Sequence, residues 1–290
     1  MIKPITLTDD QACSWRDYVT LCKPRVVLMM ILTSIVGMCL AGTHWPPFNA
    51  VIYGNLGIAL IASAAAAINH FADYRWDCLM ARTKKRPIVQ GKVSPTETLI
   101  FATFLYFSGL FVLCYWVNAL TAVLTTLSLL AYAGVYTFYL KHATSQNIVI
   151  GGIAGAAPPL LGWVAVTGHI ELQAVWLLLI IFVWTPPHFW ALAIDRYEDY
   201  ANADIPMLPN THGIQYTKKS MVAYTLILYA ITLIPFFSHQ SHDVYLFAAL
   251  ALNSWFTYYV IKLYFEADNA SAIRVFRYSI IYLLLLFVAL

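Results

Sequence analysis

Asn69, Asp73 and Asp77 stand four residues apart, directly after the apolar run Ile58 to Ile68. On an α-helix each such step advances about 400°, so the three side chains form one stripe drifting about 40° per step. An amide and two carboxylates in a row suit a hard cation such as Mg²⁺, commonly held by one or two carboxylates together with substrate phosphates. Arg82, Lys84, Lys85 and Arg86 follow within ten residues. Bases beside carboxylates fit a polyanion that touches both the metal and the cations. A helix end meeting water explains one Asp, but not the whole constellation.

A second cluster repeats the pattern. Asp195 and Asp199 are again four apart, flanked by Arg196 and preceded by Trp184-Thr-Pro-Pro-His188-Phe-Trp190. His188 lies roughly 10 Å deeper than Asp195 at 1.5 Å per residue. An ionisable group at that depth reads as functional by default, weighed equally against a hydrogen-bonded packing histidine. Here Pro186-Pro187 predicts a helix break that opens a wide aromatic pocket around it.

The elements that position these groups are membrane spans. Of 290 residues 61% are hydrophobic and 11% charged, against about 25% charged in soluble domains. A bilayer core needs roughly 20 apolar helical residues. Nine such runs are readable, near Val26 to Gly42, Val51 to Asn69, Thr98 to Trp116, Leu120 to Tyr139, Ile148 to Val166, Leu172 to Ile194, Ser220 to Phe237, Val244 to Tyr264 and Val275 to Leu290. The fold expected is an all-α polytopic bundle of nine transmembrane helices, one domain over 1–290, with a central cavity opening at the cytoplasmic side. Residues 1–25 form an interfacial segment, with Trp15, Tyr18, Val19 and Leu21 alternating with charge before Lys23-Pro24-Arg25.

All 17 Lys and Arg residues fall in the segments on one side of this nine-span arrangement. The positive-inside rule then makes the N-terminus cytoplasmic and the C-terminus non-cytoplasmic, in a bacterial cytoplasmic (inner) membrane. Lys141, alone in its connection, counts here only as topological charge. The five cysteines show no paired spacing, so neither a disulfide framework nor a zinc site is indicated. Gly151 and Gly155 predict close helix approach in the fifth span, and Pro158-Pro159 a kink or break.

Carboxylates, bases and an apolar bundle together describe a site for a lipid diphosphate. Asn69-x-x-x-Asp73-x-x-x-Asp77 followed by Arg82-Thr-x-x-Arg86-Pro87 resembles the first signature of the intramembrane (UbiA) prenyltransferase superfamily. Gly155-Ala-Ala-Pro-Pro-Leu-Leu-Gly162, Trp184-Thr-Pro-Pro-His-Phe-Trp190, Asp199-Tyr-Ala-x-Ala-Asp-Ile-Pro-Met-Leu-Pro209 and Lys23-Pro24-Arg25 are similar to its haem-farnesylating branch over essentially the full chain. The resemblance implies farnesyl diphosphate as donor, haem b as acceptor and Mg²⁺ as cofactor, in haem A biosynthesis by way of haem O. It implies Asn69, Asp73, Asp77 and Asp199 as catalytic groups, with Asp195 joining them around the metal. It also implies Arg82, Lys85, Arg86 and Arg196 on the diphosphate and His188 as a haem contact. At Asp195 the family commonly has an apolar residue, so Asp199 is the firmer match. Expected partners are the two substrates, the lipid bilayer and a downstream haem A synthase or terminal oxidase assembly; nucleic acid is not among them. The alternatives are a prenyltransferase acting on a quinone precursor such as a hydroxybenzoate and, in another class, a membrane transporter. Against the transporter, the carboxylates cluster at one membrane face and no acid lies in the outer half of any span.

Overall fold

The structure is a computed structural model and describes residues 13–42, 44–80, 83–238 and 241–290. Every regular element among them is helical. Helix α1 (Trp15–Leu21) opens on a capping box, with the Ser14 hydroxyl and the Asp17 carboxylate closing the first turn reciprocally. Lys23 then adopts the left-handed conformation at φ 50°, and Pro24 starts α2 (Pro24–Leu40) at an angle of 53° to α1. A non-glycine residue in this region is strained and persists where its surroundings hold it.

A π-helical turn, Ala50–Gly54, leads into α3 (Asn55–Asp77), the 23-residue helix that carries Asn69, Asp73 and Asp77. Helix α4 (Pro95–Trp116) begins with a second capping box from Ser94 and Glu97. Helix α5 (Ala119–Leu129) runs on as a π-helix, Leu130–Leu140, and closes with α6 (Lys141–Ala143). The fifth span is two helices, α7 (Asn147–Ala156) and α8 (Pro158–Thr167), interrupted at Ala157 by the proline pair as expected. Then come α9 (Leu172–Asp195), α10 (Tyr197–Asn202), α11 (Leu208–His212), α12 (Ile214–Ile231), α13 (Ile234–Phe237), α14 (Asp243–Phe265) and α15 (Ala272–Ala289).

Among the described residues eight runs are individually long and apolar enough to cross a membrane. Counted as one broken span, the bent α1–α2 pair brings the number to the nine expected. Phe104, Phe107, Phe111, Phe247 and Trp255 point outward from the bundle, the surface a bilayer covers rather than water.

Close approach of backbones organises the bundle. A Cβ on Gly37 would lie 2.0 Å from the Pro159 carbonyl oxygen, and one on Gly162 2.0 Å from that of Ser34, so α2 and α8 touch main chain to main chain. Small residues perform this role where lipid offers no hydrophobic drive between helices. Gly151 packs the same way, its Cβ position 2.2 Å from the Tyr136 ring, whereas Gly155 faces open space. The packing expected of the Gly151/Gly155 pair therefore holds for Gly151 alone, because Gly155 lies on an exposed face of α7.

The break expected at Pro186-Pro187 is absent, and α9 runs through both prolines. Membrane helices tolerate interior proline where neighbours support the turn. Here α9 is buried against α7, α8, α12 and α15. The Thr185 hydroxyl donates to the Ile181 carbonyl at 2.8 Å, and Trp184 Nε1 to that of Ser279 at 2.9 Å.

Candidate diphosphate and metal site

Asn69, Asp73 and Asp77 do share one face of α3, and all three are buried. The face is completed by elements distant in sequence. Asn69 Nδ2 donates to Asp73 Oδ2 at 2.8 Å, and Lys141 Nζ reaches the same oxygen at 2.7 Å. The Lys23 ammonium donates to Asn69 Oδ1, and it lies 3.4 Å from the Tyr132 hydroxyl. Asn69 Nδ2 also lies 3.4 Å from Thr137 Oγ1. One turn further on, Arg86 pairs with Asp77 through Nη1 and Oδ2, while the Thr83 hydroxyl donates to the Asp77 carbonyl at 2.9 Å.

Each cation arrives for a local reason. The left-handed residue between α1 and α2 puts Lys23 at the bend. The π-helix brings Tyr132, Thr137 and then Lys141 onto the α3 face, with Thr137 Oγ1 bonded to the Tyr132 carbonyl five residues back. Runs of π-helix are rare and concentrate at functional sites. Arg86 is returned to α3 by a tight turn whose backbone bonds include Arg86 N–H to the Thr83 carbonyl at 2.9 Å.

The carboxylates leave room for a cation. Asp73 and Asp77 each spend Oδ2 on a base, whereas Asp73 Oδ1 and Asp77 Oδ1 are buried and unpartnered. Orphaned buried oxygens one helical turn apart fit a hard ion that completes its shell with phosphate and water. Among the described residues no three His, Cys, Asp or Glu side chains converge to hold a metal by protein groups alone.

The other expected residues fall elsewhere. Asp195 is surface-accessible and pairs with the neighbouring Arg196, Nε to Oδ2 at 3.2 Å. Asp199 sits half-exposed in the first turn of α10. Neither joins Asp73 and Asp77 in a single ligand set here. Lys85 is exposed on the loop, and Arg82 lies outside the described residues. His188 is buried, its Nδ1 2.6 Å from Ser279 Oγ. Its ring stacks between Trp184 at 4.2 Å and Phe276 at 4.6 Å, with Phe189 edge-on at 4.9 Å. With α9 unbroken, the wide pocket expected around it is a tight aromatic sandwich instead.

Sequence spacing did not reveal Lys141, Tyr132, Thr137 or the full part played by Lys23. The available signal was a lysine placed directly after the apolar run that ends at Leu140, a position from which a charge can turn back into the bundle and find a partner.

The UbiA prenyltransferase family profile matches residues 30–287. A protoheme IX farnesyltransferase of Marinobacter nauticus is 55% identical over 283 residues, covering 98% of this chain and 94% of its own. One from Legionella pneumophila is 57% identical over 274 residues, covering 94% and 93%. Among solved structures, one from a study of digeranylgeranylglyceryl phosphate synthase superposes with TM-score 0.79 at 17% identity, over 94% of this chain and 96% of that one. A UbiA homologue from Archaeoglobus fulgidus bound to GPP and Mg²⁺ gives TM-score 0.66 at 15% identity, over 94% and 99%. These share the fold. A profile spanning almost the whole bundle and relatives more than half identical across it place the chain in one lineage: it belongs to the UbiA prenyltransferase family.

Proposed function

We propose that this chain transfers the farnesyl group of farnesyl diphosphate to a vinyl group of haem b, giving haem O. Two things support the reading. One is the buried assembly of Asn69, Asp73 and Asp77 with Lys23, Arg86 and Lys141. The other is likeness to protoheme IX farnesyltransferases along nearly the full chain.

Asp73 and Asp77 would hold Mg²⁺ through their unpartnered oxygens. When bound, the ion neutralises charge on the leaving diphosphate. Lys23, Arg86 and Lys141 bind the remaining phosphate oxygens, exchanging their present carboxylate and amide partners for a more highly charged anion. Arg82, Lys85 and Arg196 would add further positive charge for the diphosphate, and Asp199 a further carboxylate for the metal. Departure of diphosphate leaves an allylic cation. The Tyr132 ring, whose centroid lies 5.9 Å from Lys23 Nζ, already sits beside positive charge and can stabilise another. Burial of the face excludes water from the cation before the vinyl group attacks. His188 would contact haem, with Nδ1 engaged by Ser279 and Nε2 the nitrogen left for iron.

The chain is a multi-pass membrane protein. We place it as one membrane-embedded unit in a bacterial inner membrane, N-terminus cytoplasmic and C-terminus outside, so that diphosphate leaves to the cytoplasm and haem O passes on to a haem A synthase or oxidase assembly. Diphosphate release from farnesyl diphosphate by purified protein tests the reading. It should require both Mg²⁺ and haem b, and release supported by a hydroxybenzoate but not by haem would overturn it.

A further inference from the structure

His70 follows Asn69 on α3 and is only 3% exposed, yet neither ring nitrogen has a hydrogen-bond partner. Among the described residues it is the one histidine with both nitrogens buried and orphaned. A buried imidazole bears the loss of its hydration unless something restores the bonds. Its place on the helix says where that partner would be. It is three residues before Asp73 and seven before Asp77, so it projects about 60° from the first and about 20° from the second. It therefore belongs to the carboxylate stripe, about 4.5 Å deeper than Asp73 along the axis. The charges that bear on it are those of Lys23 and Arg86, the same cations that frame the site. None of the site contacts described above uses it.

The reaction proposed above needs a polar group that can hold one water in an otherwise dry site. When the allylic C–O bond breaks, its electron pair leaves with diphosphate. The vinyl π pair then forms the new C–C bond to farnesyl C1, and the positive charge moves to the vinyl carbon next to the porphyrin ring. That carbon has two fates. A water oxygen can bond to it, giving the hydroxyl of haem O, or the adjacent methylene can lose a proton, giving an alkene one water lighter. The chain must hold one water beside this carbon while keeping the rest of the site dry.

Resting on that reading, we infer that His70 holds the water that captures the porphyrin-side cation. The neutral imidazole accepts a hydrogen bond from the water through one nitrogen and aims a lone pair of the oxygen at the cation. As the C–O bond forms, the other O–H bond breaks and its proton passes to an oxygen of the diphosphate held by Lys23, Arg86 and Lys141. The imidazole keeps its proton count throughout. His70 thus sets the outcome of the reaction rather than its onset.

The test is the product ratio, read by mass spectrometry of pigments formed from haem b, farnesyl diphosphate and Mg²⁺. His70→Phe keeps a flat ring but loses both nitrogens, and should lower the ratio of hydroxylated to dehydrated farnesyl-haem about tenfold, whatever the total turnover. His70→Gln, which can still hold a water, should restore most of it. Haem absorbance of each detergent-purified variant monitors folding. A fully hydroxylated product from His70→Phe would overturn the inference while leaving the proposed function intact. No farnesylated pigment from the unsubstituted chain would overturn both, and is distinguishable from the first result.

Discussion

Asp73 is shared by two donors, the Asn69 amide and the Lys141 ammonium, and both stand on one of its oxygens. Removing one partner of a buried charge pair typically costs about 3–5 kcal/mol, because the survivor stays desolvated and unpaired. Lys141→Ala should therefore destabilise the protein by that order, while the Lys141→Ala/Asp73→Asn double variant loses less than the sum; thermal unfolding in detergent measures the coupling. For catalysis, Asp73→Asn should lower turnover by about 10²–10³ with the protein still inserted and haem-competent, and normal turnover would remove the metal-site argument. His188→Ala should shift the haem absorption spectrum; an unchanged spectrum and affinity would end its role as ligand. The stripe of Asn69, Asp73 and Asp77 was legible because a period of four on a helix is a local property. The partners were not: Lys23 and Lys141 meet that stripe from other spans, and no spacing within α3 encodes them.

At the scale of elements, most span ends could be read to within a few residues because each span is a long apolar run, while the helices through Asp77 and from Ile214 run further into polar sequence than the apolar pattern marks. Helix interiors were harder. Proline chemistry correctly predicted the interruption at Ala157 and misjudged Pro186-Pro187, where packing of α9 on four neighbours outweighs local propensity. The π-helix that delivers Lys141 left no mark in the hydrophobic pattern. Glycines separate the two kinds of contact. Gly37→Ala would set a methyl 2.0 Å from a backbone oxygen, which cannot rotate aside. It should cost about 1–3 kcal/mol or more and, by moving α2, weaken farnesyl diphosphate binding through Lys23. Gly155→Ala meets open space and should be nearly silent in the same unfolding and KM measurements. The turn between α14 and α15 has its own dependence on pH. The Ser271 hydroxyl and N–H donate to the Glu266 carboxylate and hold it below the usual glutamate range. A depressed value contributes stability above that range and loses it as pH falls through the folded value. The advantage of the native chain over Ser271→Ala in melting temperature should accordingly be present at neutral pH and shrink in acid.

For the whole molecule, an outward belt of aromatic and aliphatic side chains surrounds an interior whose buried charges gather at one end. That segregation suits a reaction with one water-soluble product and one lipid-soluble product, since a diphosphate fits the charged end and a farnesylated pigment the apolar belt. The cation excess on one side of the spans gives the expected orientation, and labelling of single cysteines placed in the connections would check it. The central claim concerns both donor and acceptor. It is tested most directly by mass spectrometry of the pigments formed when the purified protein is incubated with haem b, farnesyl diphosphate and Mg²⁺, with a hydroxybenzoate present as competitor. The account predicts conversion of haem b to a product heavier by one farnesyl group and one hydroxyl group, dependent on Mg²⁺, with the benzoate untouched. Unmodified haem alongside a farnesylated benzoate would contradict it.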